Sequence, residues 1–337
     1  MSRITSRRFL ICRGTLAGTL FFSPRNFTAS AIFILASIFA PVLRAQRAIQ
    51  PLSSLPEDVV LKKDLVYATV GSRELHLDLF LPKAGSGPFP AIVYFNGWGQ
   101  TGEKAKQQFY RQAAYMAEKG FVGACVEYRI AGESTYPAAI YDAKAAVRWI
   151  RANAPNYHID QNRIGAAGGS GGGFVVSMLG TTIDMPEFEG KEGNAGISSR
   201  VSAVVAFNPV TNWIEYEKNF EKNGSDKQHA DPTHARDPMP EYLGGTYVQN
   251  PEVWKTASPI YHVSAHSTPF LFWHGDADTN VPYQQSVEMV EKLRGVGVSA
   301  EIFTAPGAGH GYFNLSPWFD PALKRMDEFF ERTLRAR

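Results

Sequence analysis

A serine set among glycines, Gly168-Gly169-Ser170-Gly171-Gly172, stands between a short apolar run at residues 164–167 and a helical apolar pattern at 174–179. A strand that turns this tightly into a helix leaves the serine Oγ exposed above the sheet and has no room for side chains beside it. A flexible Gly/Ser linker is the alternative, but a linker would not be bracketed by a buried strand and an apolar helix. A serine hydroxyl is a weak nucleophile at neutral pH and needs a base that is itself oriented by an acid. Both follow later in the chain. His274-Gly275-Asp276-Ala277-Asp278-Thr279-Asn280-Val281-Pro282 comes after the apolar run 270–273, and Gly307-Ala308-Gly309-His310-Gly311-Tyr312 after the run 300–303. Ser170, Asp278 and His310 thus occur in the order nucleophile, acid, base, each in a loop after an expected strand. Asp276 is the competing acid. Among the histidines, His76, His158, His262 and His266 read as surface or packing residues, and His274 as a group that orders the acid loop. The chemistry this set can perform is acyl transfer.

Such side chains converge only if a sheet carries them. Residues 91–95, 122–128, 164–167, 201–207, 270–273 and 300–303 are short apolar runs without alternation, and helical patterns at 103–119, 137–153, 172–179, 283–294 and 321–334 separate or follow them. Continuous apolar strands alternating with helices predict an α/β fold, a mostly parallel central sheet covered by helices on both faces. In 137–153, Ala143, Ala146, Val147 and Ile150 fall on one helical face. Residues 65–69 and 74–81 alternate at period two around Gly71-Ser72 and predict an antiparallel hairpin at the N-terminal edge of the sheet. Residues 211–258, polar and rich in Asn, Asp, Lys and Pro, break the alternation at more than loop length and predict a cap or lid insertion.

With these motifs the chain resembles an α/β-hydrolase of the bacterial esterase/lipase group that includes carbohydrate-ester hydrolases such as acetylxylan and feruloyl esterases. The resemblance runs from about Leu65 to the C-terminus and includes Tyr128-Arg129, residues 142–154, 160–165, 196–201 and 274–282. In that group's H-G-x-x-D-x-x-V-P pattern the acid is the fifth position, here Asp278. Acyl transfer also needs donors where the tetrahedral oxygen develops. One expected donor is the backbone N–H of Gly171; the other comes from the loop 95–100, with Trp98 as first choice and Gly97 as second. Where relatives carry His-Gly-Gly-Gly, this chain has Asn96-Gly97-Trp98-Gly99, one residue shorter, so Trp98 adds bulk to the acyl side of the pocket. Trp98, Trp213, Tyr312, Phe313 and Trp318 could form an aromatic wall for sugar or phenolic groups, or could be core packing; Trp98 and Tyr312 are the expected substrate contacts.

The remaining composition narrows the class. Of 337 residues, 44% are hydrophobic and 20% charged, with 34 Lys plus Arg against 32 Asp plus Glu. The first 50 residues hold Arg3, Arg7, Arg8, Arg13, Arg25, Arg44 and Arg47 and no acid, so the rest carries fewer bases than acids. That argues against disorder and against a nucleic-acid partner for the folded part. The arginines precede an apolar run at 29–43 and the small residues Ala45 and Ala48, the order of a secretory signal over residues 1–48, with residues 49–337 as the hydrolase domain. Ser6-Arg7-Arg8-Phe9-Leu10 gives the signal a twin-arginine character. A membrane anchor is the alternative, though Pro41 interrupts a run shorter than the about 20 residues a bilayer needs. Secretion or a periplasmic location follows, with membrane contact only during export. Cys125 lies in an apolar run and reads as a buried hydrophobe. His229, Asp231, His234 and Asp237 have metal-ligand side chains but no ligand spacing, and a solvated lid surface explains them better. No cofactor is expected. The expected function is hydrolysis of short-chain or carbohydrate-linked esters, with a peptidase, a lipase or a non-catalytic binding protein on the same scaffold as alternatives.

Overall fold

The computed structural model describes residues 51–224 and 239–335. Its sheet has eight strands, β1 (Val59–Val70), β2 (Arg73–Pro82), β3 (Phe89–Phe95), β4 (Val122–Val126), β5 (Ile159–Gly169), β6 (Ala203–Phe207), β7 (Phe270–Gly275) and β8 (Ala300–Ala305). They lie in the order β1-β2-β4-β3-β5-β6-β7-β8. The first two strands pair as an antiparallel hairpin, β2 meets β4 antiparallel, and every later pairing is parallel. Helices α1 (Gly102–Gln107), α2 (Tyr110–Glu118), α3 (Ala138–Ala152), α4 (Gly171–Thr181), α5 (Trp213–Gly224), α6 (Met239–Tyr242), α7 (Pro251–Thr256), α8 (Gln284–Gly295) and α9 (Phe319–Phe330) connect or cover them.

The strands look uniformly apolar in sequence because both faces are buried, and the period of two reappears in what each side chain touches. In β3, Ala91, Val93 and Phe95 face a core built with α3, α4 and α8, while Ile92 and Tyr94 face a second core built with α2 and α9. In β7, Phe270 and Phe272 take the first side, Leu271 and Trp273 the second. Cys125 of β4 is a free, buried thiol whose pKa burial pushes up, which makes it inert as a nucleophile.

Two differences from the sequence expectation bear on the site. The helix expected over 103–119 is broken at Gln108-Phe109, and the Gln108 side chain turns back to the loop after β3. The insertion at 211–258 is less polar than its composition implies. Its described part buries Trp213, Met239, Tyr242, Leu243 and Trp254 in the main core. His229, Asp231, His234 and Asp237 lie outside the described residues, as does the expected signal over residues 1–48.

Candidate active site

The β5 strand ends at Gly169, and Ser170 opens α4 with φ of 55° and ψ of −119°, a backbone conformation rare for any residue with a side chain. Its N–H donates to Phe207 O at 2.9 Å and its carbonyl accepts from Phe174 N at 3.0 Å, so neighbouring structure holds the strained turn. Close approach explains the flanking glycines. A Cβ at Gly172 would stand 2.1 Å from Phe95 O, and one at Gly171 would enter the Trp98 ring at 2.6 Å.

Three loops meet at this serine. His310, after β8, places Nε2 at 2.9 Å from Ser170 Oγ and Nδ1 at 2.8 Å from Asp278 Oδ2. The Asp278 side chain is fully buried and that of His310 is 20% exposed, so of this pair the base reaches solvent and the acid does not. Asp278 Oδ1 accepts the N–H groups of Asn280 and Val281, each at 2.9 Å. Burial would raise the Asp278 pKa, but hydrogen bonds from His274 and His310 and the Val281 N–H outweigh it and hold the carboxyl well below the usual range. His274 is buried in β7. Its Nε2 is 3.0 Å from Val281 O and 3.4 Å from Asp278 Oδ2, and Nδ1 meets Ser286 Oγ at 2.7 Å, so it ties the acid loop to its strand and to α8. Asp276 is exposed and accepts from Gly307 N at 2.6 Å, which pins the two loops together and leaves it out of contact with the imidazole.

The loop after β3 approaches from the other side. A Cβ at Gly97 would lie 3.3 Å from Ser170 Cβ. The Gly97 N–H itself donates to Gln108 Oε1 at 2.6 Å, so the second-choice donor is engaged by a side chain. The Trp98 and Gly171 N–H groups have no protein acceptor among the described residues: Gly171 stands in the first turn of α4, whose N–H groups find no partner within the helix, and Trp98 in the turn after β3. Asn96 closes the loop by donating from Nδ2 to Gly97 O at 2.7 Å and to Gln100 O at 3.2 Å. Tyr128 OH donates to Asn96 O at 2.6 Å from β4's exit. The Trp98 indole N–H stands beside that hydroxyl without closing a hydrogen bond of ordinary geometry.

Trp98 is a packed residue as much as an exposed one. Its ring stacks on Trp213 at 5.8 Å and 9°, and meets Tyr242 at 4.8 Å and Phe174 at 6.0 Å edge to face. The insertion supplies two of these partners, Trp213 from α5 and Tyr242 from α6. Tyr312, the other expected substrate contact, is 4% exposed and packs on Phe313 and Trp318, so the structure sets it inside the wall.

Sequence reasoning missed Gln108 and Asn208, and named Tyr128 only as part of the family resemblance, with no role at the site. Asn208 follows β6, is fully buried, and brings Nδ2 within 3.2 and 3.3 Å of the two His310 ring nitrogens. A polar residue at the C-terminal end of an apolar strand, on the ligand-binding edge of the sheet, was the available signal. Gln108 and Tyr128 act across 11 and 32 residues of chain, and no local pattern reports those contacts.

A mostly parallel eight-stranded sheet with this serine turn, acid loop and histidine loop defines an α/β-hydrolase. The chain belongs to the BD-FAE family, whose model matches residues 77–293. It is 31% identical over 231 residues to esterase LipC of Mycobacterium tuberculosis, covering 67% of this chain and 53% of that protein. It spans about half the length of the curated relatives it matches first. Among solved structures, a truncated carbohydrate esterase from gut microbiota superposes with a TM-score of 0.71 at 27% identity, over 83% of this chain and 99% of that one. The propionate-bound esterase Est2 of Thermogutta terrifontis gives 0.65 at 28% identity, over 82% and 96%.

Proposed function

We propose that the protein is an exported serine carboxylesterase that cleaves short-chain acyl esters, including those on carbohydrates, through an acyl-enzyme. The observation that carries this is the unbroken hydrogen-bonded chain from Ser170 Oγ through His310 to Asp278, at 2.9 and 2.8 Å. His310 Nε2 takes the proton as Ser170 Oγ attacks the ester carbonyl, and Asp278 keeps the proton on Nδ1 so that Nε2 is the free base. The N–H groups of Trp98 and Gly171 receive the oxyanion. The imidazolium then protonates the leaving alcohol, and water repeats the cycle on the acyl group. Each oxyanion donor lowers the barrier by roughly 2.7–4 kcal/mol in such sites.

A small acyl group suits the crowding beside the nucleophile, where Trp98, held between Trp213, Tyr242 and Phe174, fills the space against Gly171. Two likenesses support this reading: one neighbour is named a carbohydrate esterase and another binds propionate, a three-carbon acid. The arginine-rich apolar segment ahead of residue 49 supports export.

The test is turnover by purified mature protein of p-nitrophenyl acetate, butyrate and octanoate, acetylated xylan and methyl ferulate. Activity that falls with chain length and extends to acetylated xylan supports the reading. A preference for octanoate, or silence on every ester, contradicts it. Export is checked separately by N-terminal sequencing of the secreted or periplasmic protein, which should begin near Gln46 or Ile49; Met1 retained in a membrane fraction would overturn it.

A further inference from the structure

Asn208 makes three observations that packing alone does not explain. It is fully buried, yet its φ of 39° lies in the left-handed region that only glycine adopts freely. Its side-chain nitrogen sits almost equally far, 3.2 and 3.3 Å, from Nδ1 and Nε2 of His310. Its side-chain oxygen is buried without a partner among the described residues. An orphaned buried carbonyl costs about 1–3 kcal/mol, so an amide kept here has a use.

The two ring nitrogens are already committed. Nδ1 faces Asp278 at 2.8 Å and Nε2 faces Ser170 at 2.9 Å, and each ring nitrogen has only one in-plane N–H or lone pair to give, so none is left for the amide. A group equally distant from both nitrogens must therefore lie off the plane, over the N–Cε1–N edge of the imidazole. That edge carries the positive charge once His310 has taken the serine proton. The backbone around Asn208 is anchored to the same site: its N–H donates to Trp273 O at 2.7 Å, and the preceding Phe207 O accepts from Ser170 N at 2.9 Å. The amide is thus fixed to the element that holds the nucleophile.

We propose that Asn208 is a positioning residue for His310, holding the imidazole plane between Asp278 and Ser170 and offering its free carbonyl dipole to the imidazolium formed during acyl transfer. The inference rests on the serine-esterase reading above. A half-turn of the amide about its last bond exchanges nitrogen for oxygen beside the ring, so the same side chain can face both the neutral and the charged imidazole without moving its backbone. The other titratable groups around His310 are Asp278 on the acid loop, His274 on β7 behind that acid, and Tyr312 on the histidine's own loop, with Tyr283 beyond Tyr312.

The experiment compares Asn208→Gly and Asn208→Asp with wild type on p-nitrophenyl acetate across pH 5 to 9, with Ser170→Ala and thermal melts as controls. Glycine keeps the left-handed backbone and removes the amide; aspartate keeps the shape and adds an anion. Asn208→Gly should lower kcat roughly tenfold to a hundredfold with KM little changed. Asn208→Asp should move the acid limb of kcat/KM up by about one pH unit, since an anion beside the ring favours the imidazolium. Wild-type kcat in the glycine variant together with an unmoved acid limb in a folded aspartate variant would overturn the proposal. If wild-type turnover does not depend on Ser170, the esterase reading fails first, and the two failures are told apart by that control.

Discussion

On the His310 side of Ser170 the contacts are polar and made by loops that carry their own signature: Asp278 is gripped by Asn280 and Val281 two and three residues on, and Asp276 by Gly307. On the Trp98 side they are aromatic and come from far along the chain, with Trp98 stacked on Trp213 and crossed by Tyr242. The first side moves protons and tolerates little variation in geometry. In the proposed mechanism the second shapes the space for the acyl group, and the insertion supplies Trp213 and Tyr242 to it. The proposed function thereby assigns proton chemistry and acyl selection to different sides of Ser170.

The comparison breaks most severely at the nucleophile. Ser170→Ala should lower kcat by roughly ten-thousandfold to a millionfold while the melting temperature stays near wild type, because the turn is held by backbone bonds and its glycines. Asp278→Asn should cost about ten-thousandfold in kcat, since it leaves the imidazole in the wrong tautomer, whereas Asp276→Asn should cost less than about tenfold. The opposite ranking would move the acid role to Asp276.

On the aromatic side the expected losses are of stability and selectivity. Trp213→Ala empties a site whose indole is 2% exposed and should cost about 3–5 kcal/mol, read by denaturant melts. In the folded fraction the kcat/KM ratio of butyrate to acetate esters should rise, with the pH profile unchanged. A changed pH profile would show that the two sides are coupled. Gln108→Ala should be the mildest, about 1 kcal/mol, because it removes one hydrogen bond to Gly97 N and leaves the Trp98 and Gly171 donors in place. A loss of kcat above about a hundredfold would instead put Gln108 and Gly97 at the centre of the oxyanion site.

The pH dependence sharpens the same contrast. The folded Asp278 pKa lies below its unfolded value of about 3.9, so its contribution to stability is complete above that value and disappears as pH falls through the folded pKa. Asp278 therefore stays ionised above that value, and the acid limb of kcat/KM should follow one proton. A two-proton limb above pH 4 would show that the carboxylate titrates with it.

The difference between the two sides also explains what was legible in the sequence. Ser170, Asp278 and His310 are readable because each needs special backbone next to it, and glycine and proline record that need locally. The strands were readable as apolar runs, with ends shifted by a few residues, as where β5 begins at Ile159 ahead of the run 164–167. Of the Trp98 cage, Trp98 and Trp213 were readable as candidate wall residues and do stack, but Tyr242 was not, since packing between distant residues leaves no periodic trace and the insertion's polar composition conceals the buried Tyr242 and Trp254. Tyr312 was expected at the substrate and lies in the wall because its loop turns the ring toward Phe313 and Trp318.

The central claim is that Ser170 carries the acyl group. Rapid acid quench of the enzyme with p-nitrophenyl acetate, followed by peptide mass mapping, tests it directly. The account predicts one acetyl group per chain on the peptide that holds Ser170, absent from Ser170→Ala. An acetyl group on another residue, or full turnover by Ser170→Ala, would contradict it.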